Sequence, residues 1–185
     1  MQTTSHADLL VELIDFATCW HGDQKTPDGK PYITHLMGVT LLAQEAALAD
    51  GYSEDEIRII LVIAMLHDLF EDTVATPEVV KPFLLRFGLP VDEVIAAIQA
   101  LTKDSSLSKP ERMPASIRAI LALPHRVGLV KLADRCWNMH RAPEGWSTGK
   151  RSQYQAEAWM LWSMLKHRSP FLEEKLKSRI ESYAA

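Results

Sequence analysis

The stretch Met65-Leu66-His67-Asp68-Leu69-Phe70-Glu71-Asp72-Thr73 puts four ionisable side chains, His67, Asp68, Glu71 and Asp72, directly behind a strongly apolar run. If the helix that holds the apolar run continues through them, His67 and Glu71 lie one above the other, as do Asp68 and Asp72. The neighbours His67 and Asp68 then sit about 100° apart around the axis, close enough to reach one ion. A buried carboxylate beside an imidazole is costly unless a proton or a cation balances it. A metal ion would supply that balance.

Two further residues stand in similar settings. His35 follows Pro31-Tyr32-Ile33-Thr34 at the start of a helical pattern, and Asp134 interrupts the apolar stretch 127–137, four residues before Asn138. Two imidazoles with two carboxylates form a mixed nitrogen and oxygen donor set, suited to manganese, iron or zinc more than to calcium. A metal with open positions lowers the pKa of a bound water and polarises a phosphoryl oxygen. Glu71 or Asp72 would then orient or deprotonate the attacking water. The spacing does not choose between them, and a plain ion pair at a helix end is the bland alternative for both. A His-Asp dipeptide arises easily by chance. The longer His67-Asp68-x-x-Glu71-Asp72 pattern, joined to His35 and Asp134, carries the reading.

The elements that must position these residues read almost wholly as helix. Ser5 with Asp8 resembles a capping box, followed by Leu9, Leu10, Leu13, Ile14, Ala17 and Trp20 at helical spacing. The polar, Pro- and Gly-bearing segment 22–31 is a loop. A helix over 34–49 follows, then one opened by the Ser53/Glu56 capping box. Thr76-Pro77-Glu78 starts another, which Gly88 closes, and Pro90 begins the next. The polar segment 103–114 reads as a mobile loop, with Lys103, Lys109 and Arg112 either as solvated charges, the better reading, or as cations that screen phosphates during entry. Short helical patterns follow at 115–123 and after Pro124, a long one carries Trp159, Trp162 and Leu165, and Ser169-Pro170 caps the last. Trp159 and Trp162 read as core or subunit contact. No strand pattern or repeat stands out. The expectation is an all-α, compact, single-domain bundle of roughly eight or nine helices spanning 1–185.

Bulk properties bound the function. The 185 residues are enough for one well-cored domain, and 47% hydrophobic with 24% charged residues is ordinary for a soluble protein. A net charge of −4 argues against nucleic acid as a partner, though a local basic pocket for one phosphorylated small molecule remains open. No leader pattern is read at the N-terminus, and apolar runs such as 59–66 are too short to span a bilayer, so no membrane partner is expected. Cys19 and Cys136 both fall in helical apolar patterns; buried, reduced thiols and a cytoplasmic setting follow.

The chain resembles the hydrolase domain of the RelA/SpoT family, in its small stand-alone alarmone hydrolase form. The resemblance rests on four segments: 29–35 (GKPYITH), 67–73 (HDLFEDT), 130–139 (VKLADRCWNM) and 143–147 (PEGWS). The match spreads over about 7–165. It implies an HD-type fold and a manganese ion held by His35, His67, Asp68 and Asp134. It implies that Glu71 and Asp72 manage the water attacking a nucleotide 3′-pyrophosphate, releasing pyrophosphate and a nucleoside 5′-di- or triphosphate. Lys25, Asn138, Lys150 and Tyr154 match positions that touch the nucleotide; ordinary surface lysines and a packed tyrosine are the bland readings beside it. A homodimer is left open.

One departure stands out. Family members usually carry an arginine against the purine shortly before the lysine of the first loop, whereas here the loop reads His21-Gly22-Asp23-Gln24-Lys25. A guanidinium on a purine contributes cation–π attraction and shape. Its absence leads us to expect a base choice that extends to adenosine analogues of the guanosine alarmones. Two other functions fit the same residues: a metal phosphohydrolase for another nucleotide, such as a phosphorylated dinucleotide cofactor, and a catalytically silent nucleotide sensor.

Overall fold

The computed structural model describes residues 6–183, and the Ser5/Asp8 capping box lies outside the described residues. The described chain is helical, running α1 (His6–His21), α2 (Ile33–Ala49), α3 (Glu54–Leu66), α4 (Leu69–Asp72), α5 (Pro77–Arg86), α6 (Val91–Leu101), α7 (Lys109–Leu121), α8 (His125–Asn138), α9 (Thr148–Leu165), a 3-10 turn (Lys166–Arg168) and α10 (Pro170–Ser182). The only pairing of extended backbone among the described residues is an isolated antiparallel bridge between Lys25 and Pro31, which closes the first loop.

Local chemistry sets most of these boundaries. Ser53 and Glu56 form the full capping box that opens α3. Pro77 sits in the first turn of α5, where its missing N–H costs nothing, and Gly88 at φ 64° turns the chain out after Phe87. Ser169 caps α10 by accepting from the Leu172 amide.

Helix α2 packs most extensively on α3 and α8, and α3 also meets α8. These three helices form the centre of the molecule. Every residue of α3 from Ile60 to Leu66 is buried, as is every residue of α8 from Val127 to Cys136, polar ones included. Burying a side chain such as Leu66 or Leu132 contributes about 1.5–3 kcal/mol. Against that apolar mass, α8 also buries Lys131, Asp134 and Arg135. Groups of that kind need partners.

Three expectations are corrected. The helix does not run on from the apolar segment through Asp72: α3 ends at Leu66 and α4 is a separate turn. The cause is local. The His67 Nδ1–H donates to the Ala64 carbonyl at 2.7 Å, competing for the acceptor that the Asp68 amide would use in a continuous helix. The segment 103–114 is not all loop, because a capping box of Ser108 with Glu111 starts α7 at Lys109, with Pro110 tolerated in the first turn. Cys19 is exposed, while Cys136 is buried as expected.

Candidate metal centre

Three separate elements deliver the central group. His35 comes from the first turn of α2, His67 and Asp68 from the break after α3, and Asp134 from the last turns of α8. The Nε2 atoms of His35 and His67 face each other at 3.4 Å. Asp68 Oδ2 lies 3.0 Å from His67 Nε2 and 3.4 Å from His35 Nε2. Asp134 Oδ1 is 3.7 Å from each imidazole nitrogen. His35, His67 and Asp134 offer ligand atoms within 4.8 Å of one another, and all three residues are buried.

The donor chemistry fits a divalent cation. His67 donates through Nδ1 to a backbone carbonyl, which turns its Nε2 toward the cluster, as in histidines that bind metals once Nε2 has lost its proton. Burial works against charge on His67, Asp68 and Asp134, yet each of these three is driven to its charged form. Asp68 and Asp134 outweigh burial and push the His67 pKa up to about 10. The His67 and His35 imidazoles hold Asp68 well below the usual carboxylate range despite its burial. Lys131 and His67 do the same for Asp134. Two carboxylates converging on two imidazole nitrogens thus draw in positive charge, from a proton or from a divalent metal ion.

A second ring of side chains holds these groups. Tyr32 donates its hydroxyl to Asp68 Oδ2 at 2.6 Å. Lys131 donates to Asp134 Oδ2 at 3.0 Å, and Asn138 donates its amide to Asp134 Oδ1 at 2.7 Å. Burial and the neighbouring Asp68 carboxylate push the Tyr32 hydroxyl far up, so it stays protonated and able to donate.

Glu71 and Asp72 sit on α4 at the exposed rim, each tethered from a distant part of the chain. Lys103 binds Glu71 twice, through its amide at 3.1 Å and through Nζ at 2.9 Å. Burial would weaken the Lys103 ammonium, but Glu71 more than restores it and raises its pKa. Gln24 donates to Asp72 Oδ2 at 2.9 Å while accepting from His21 Nδ1 at 2.8 Å. The His21 ring in turn stacks on Tyr32, with centroids 4.9 Å apart. The loop residue standing near the expected arginine is therefore committed to Asp72.

The remaining candidates divide. Tyr154 is half-buried beneath the Arg135 guanidinium, 4.2 Å from its ring, and burial pushes its hydroxyl up. Trp146 meets Tyr154 edge-on, and Lys150 Nζ lies 4.2 Å over the Trp146 ring. Lys25 is exposed on the first loop, opposite Pro31. Sequence reasoning did not single out Tyr32, Lys131, Gln24 or Lys103 as supports of the site. The Lys131-x-x-Asp134 spacing is the one local signal that points to such a partner.

An all-helical domain centred on paired His and Asp residues defines an HD-type hydrolase, and the comparisons agree. The family described as HD domain matches residues 14–172. The guanosine-3′,5′-bis(diphosphate) 3′-pyrophosphohydrolase MESH1 of Danio rerio is 33% identical over 180 residues, covering 94% of this chain and 93% of its own. Its Homo sapiens counterpart is 34% identical with the same coverage. A solved metazoan ortholog of SpoT, which hydrolyzes ppGpp and plays a role in starvation responses, superposes with a TM-score of 0.79 at 27% identity, covering 96% of this chain and 97% of that one. The chain belongs to the HD domain family, in the branch that holds these SpoT-type hydrolases.

Proposed function

We propose that the chain, read as one domain, is a manganese-dependent 3′-pyrophosphohydrolase of guanosine alarmones, the (p)ppGpp class. The observation that carries this reading is the convergence of His35, His67, Asp68 and Asp134 beside two tethered rim carboxylates. Near full-length similarity to enzymes of that activity supports it. His35, His67, Asp68 and Asp134 would hold the metal. Once bound, the metal would polarise the phosphoryl oxygens and make a water more acidic.

The rest of the chemistry falls to the side chains. Water attacks the phosphorus linked to the ribose 3′ oxygen, that P–O bond breaks, and the 3′ oxygen gains a proton. Glu71, held by Lys103, and Asp72, held by Gln24, fix the water and accept its proton. The attachment of Lys103 to Glu71 leaves an ammonium beside the pyrophosphate as charge develops on it. Lys25, Asn138, Lys150 and Tyr154 face the nucleotide. With Gln24 committed to Asp72, the first loop offers the purine no guanidinium, and adenosine forms are accepted beside guanosine ones.

The test is product release from guanosine and adenosine 3′-pyrophosphate nucleotides by wild type, Glu71→Gln and Asp72→Asn. Wild type should release pyrophosphate from both bases. The variant that loses the proton acceptor should keep its metal and lose roughly 10²–10⁴ in kcat, while the other loses less. Absence of pyrophosphate release from metal-loaded wild type contradicts the function, and strict rejection of adenosine contradicts the base assignment.

A further inference from the structure

A second feature lies outside the metal cluster. A cavity of about 390 Å³ opens between the C-terminal end of α8, the start of α9 and the end of α10, lined by Met139, His140, Arg141, Arg151, Ser182 and Tyr183 among others. Polar donors with no acceptor gather around it. Among the described residues, the Tyr183 hydroxyl, on a residue only 5% exposed, meets no hydrogen-bond partner, and neither does the solvent-shielded Nε of Arg151. Behind them the buried Arg135 also has an unbonded nitrogen, Nη1, and its charge bears on Tyr183. Donors sealed from water without an acceptor are costly, and native structures seldom keep several in one place.

The charge balance is cationic. Glu144 borders the cavity, but its carboxylate is paired with Arg141 at 2.9 Å. The C-terminal dipole of α8 opposes an anion. Among the described residues the unbonded Arg151 Nε and Arg135 Nη1 meet no carboxylate, and Arg141 can exchange Glu144 for a stronger acceptor at its exposed position. Two guanidinium forks with a phenolic hydroxyl match the tetrahedral oxygens of a phosphate. The volume accommodates a diphosphate.

We infer that this cavity is a second anion site, which takes a phosphate or diphosphate group. His140 lies two residues beyond Asn138, whose amide holds Asp134 at the metal cluster. If the proposed function holds, on which this step rests, the site receives the 5′-phosphate arm of the nucleotide whose 3′-pyrophosphate is cleaved. A free pyrophosphate ion carries the same chemistry and is the other source.

The experiment titrates inorganic pyrophosphate into nitrogen-15-labelled protein loaded with magnesium and follows the arginine Nε–Hε signals. The Arg151 and Arg141 signals should move saturably, and Arg151→Gln, with its backbone spectrum intact, should abolish the movement at Arg141. The exposed Arg141→Gln gives a second variant that leaves the core untouched. If neither arginine signal moves saturably, the site is overturned. Kinetics then separate the sources. An increase in KM of about tenfold in Arg151→Gln, seen for a nucleotide bearing 5′-phosphates and not for one with a bare 5′-hydroxyl, identifies the substrate's own arm. Unchanged KM for both, with the signal movement intact in wild type, identifies the free anion. Saturable movement without hydrolysis of either nucleotide overturns the proposed function and leaves the anion site standing.

Discussion

The His67 imidazole donates through Nδ1 to the Ala64 carbonyl and turns Nε2 toward Asp68 and Asp134, so one ring both breaks the helix and faces the cluster. Its charge state has a measurable consequence. With no metal, its pKa stands at about 10, above the 6.5 of an unperturbed histidine, so at pH 7 the site carries that proton. Metal uptake must displace it. Below that pKa the affinity should therefore rise about tenfold per pH unit, and calorimetry in buffers of different ionisation enthalpy should report about one proton released per metal. Release of none contradicts this account of the cluster. Tyr32 supplies a second test, because its hydroxyl reaches Asp68 Oδ2 at 2.6 Å from a half-buried ring. Tyr32→Phe should keep the fold and weaken metal binding by about 10–100-fold, as loss of a ligand's hydrogen-bonding partner does; an unchanged metal affinity would show that Asp68 needs no such support. The grouping of His35, His67, Asp68 and Asp134 was legible in residue types and local settings. The supports that reach the site from distant parts of the chain were not. Tyr32 to Asp68, Gln24 to Asp72 and Lys103 to Glu71 join residues more than thirty positions apart, and only the folded chain brings them together.

At the scale of elements, the boundaries written in capping chemistry were legible: Ser53/Glu56, Thr76-Pro77, Gly88 and Ser169-Pro170 each stand where the sequence places them. The helix beginning at Lys109 was obscured by the polar character of its first turns, although Ser108 with Glu111 supplies a cap and Pro110 is harmless in a helix's first turn. The break after Leu66 was illegible for a different reason. No glycine or proline marks it, and it depends on a side chain competing for a backbone carbonyl. Ser169 ties α10 to the end of α2: it is fully buried, accepts from the Leu172 amide, and donates to Asp50, which also accepts from the Phe171 amide. Ser169→Ala should lower stability by about 1–2 kcal/mol in urea unfolding. A change within a few tenths would mean that water or Asp50 replaces the cap. Gly38 marks a close approach of the same kind, since a Cβ there would lie 2.2 Å from the Trp137 indole, which rests on α2.

Over the whole molecule, the all-helical class was legible from periodicity alone, and α2, the break after α3 and α8 bring His35, His67, Asp68 and Asp134 to one point because these helices pack on one another through buried faces. No helix among the described residues is long and apolar enough to cross a membrane. Similarity over almost the full length of the relatives means that the shared architecture is the hydrolase unit itself. Composition conveyed little about the phosphate-handling surface, because a net charge of −4 averages over the cations near the site and the acids elsewhere. In the proposed reaction, four converging donors serve the attack of water on the 3′-linked phosphorus. Its most direct test is hydrolysis of a guanosine 3′-pyrophosphate nucleotide by manganese-loaded protein in oxygen-18 water, before chelation, after it, and after the metal is returned. One labelled oxygen should appear in the released pyrophosphate and none in the nucleotide, and turnover should disappear with the metal and return with it. Label in the nucleotide, or undiminished turnover by the chelated protein, would contradict it.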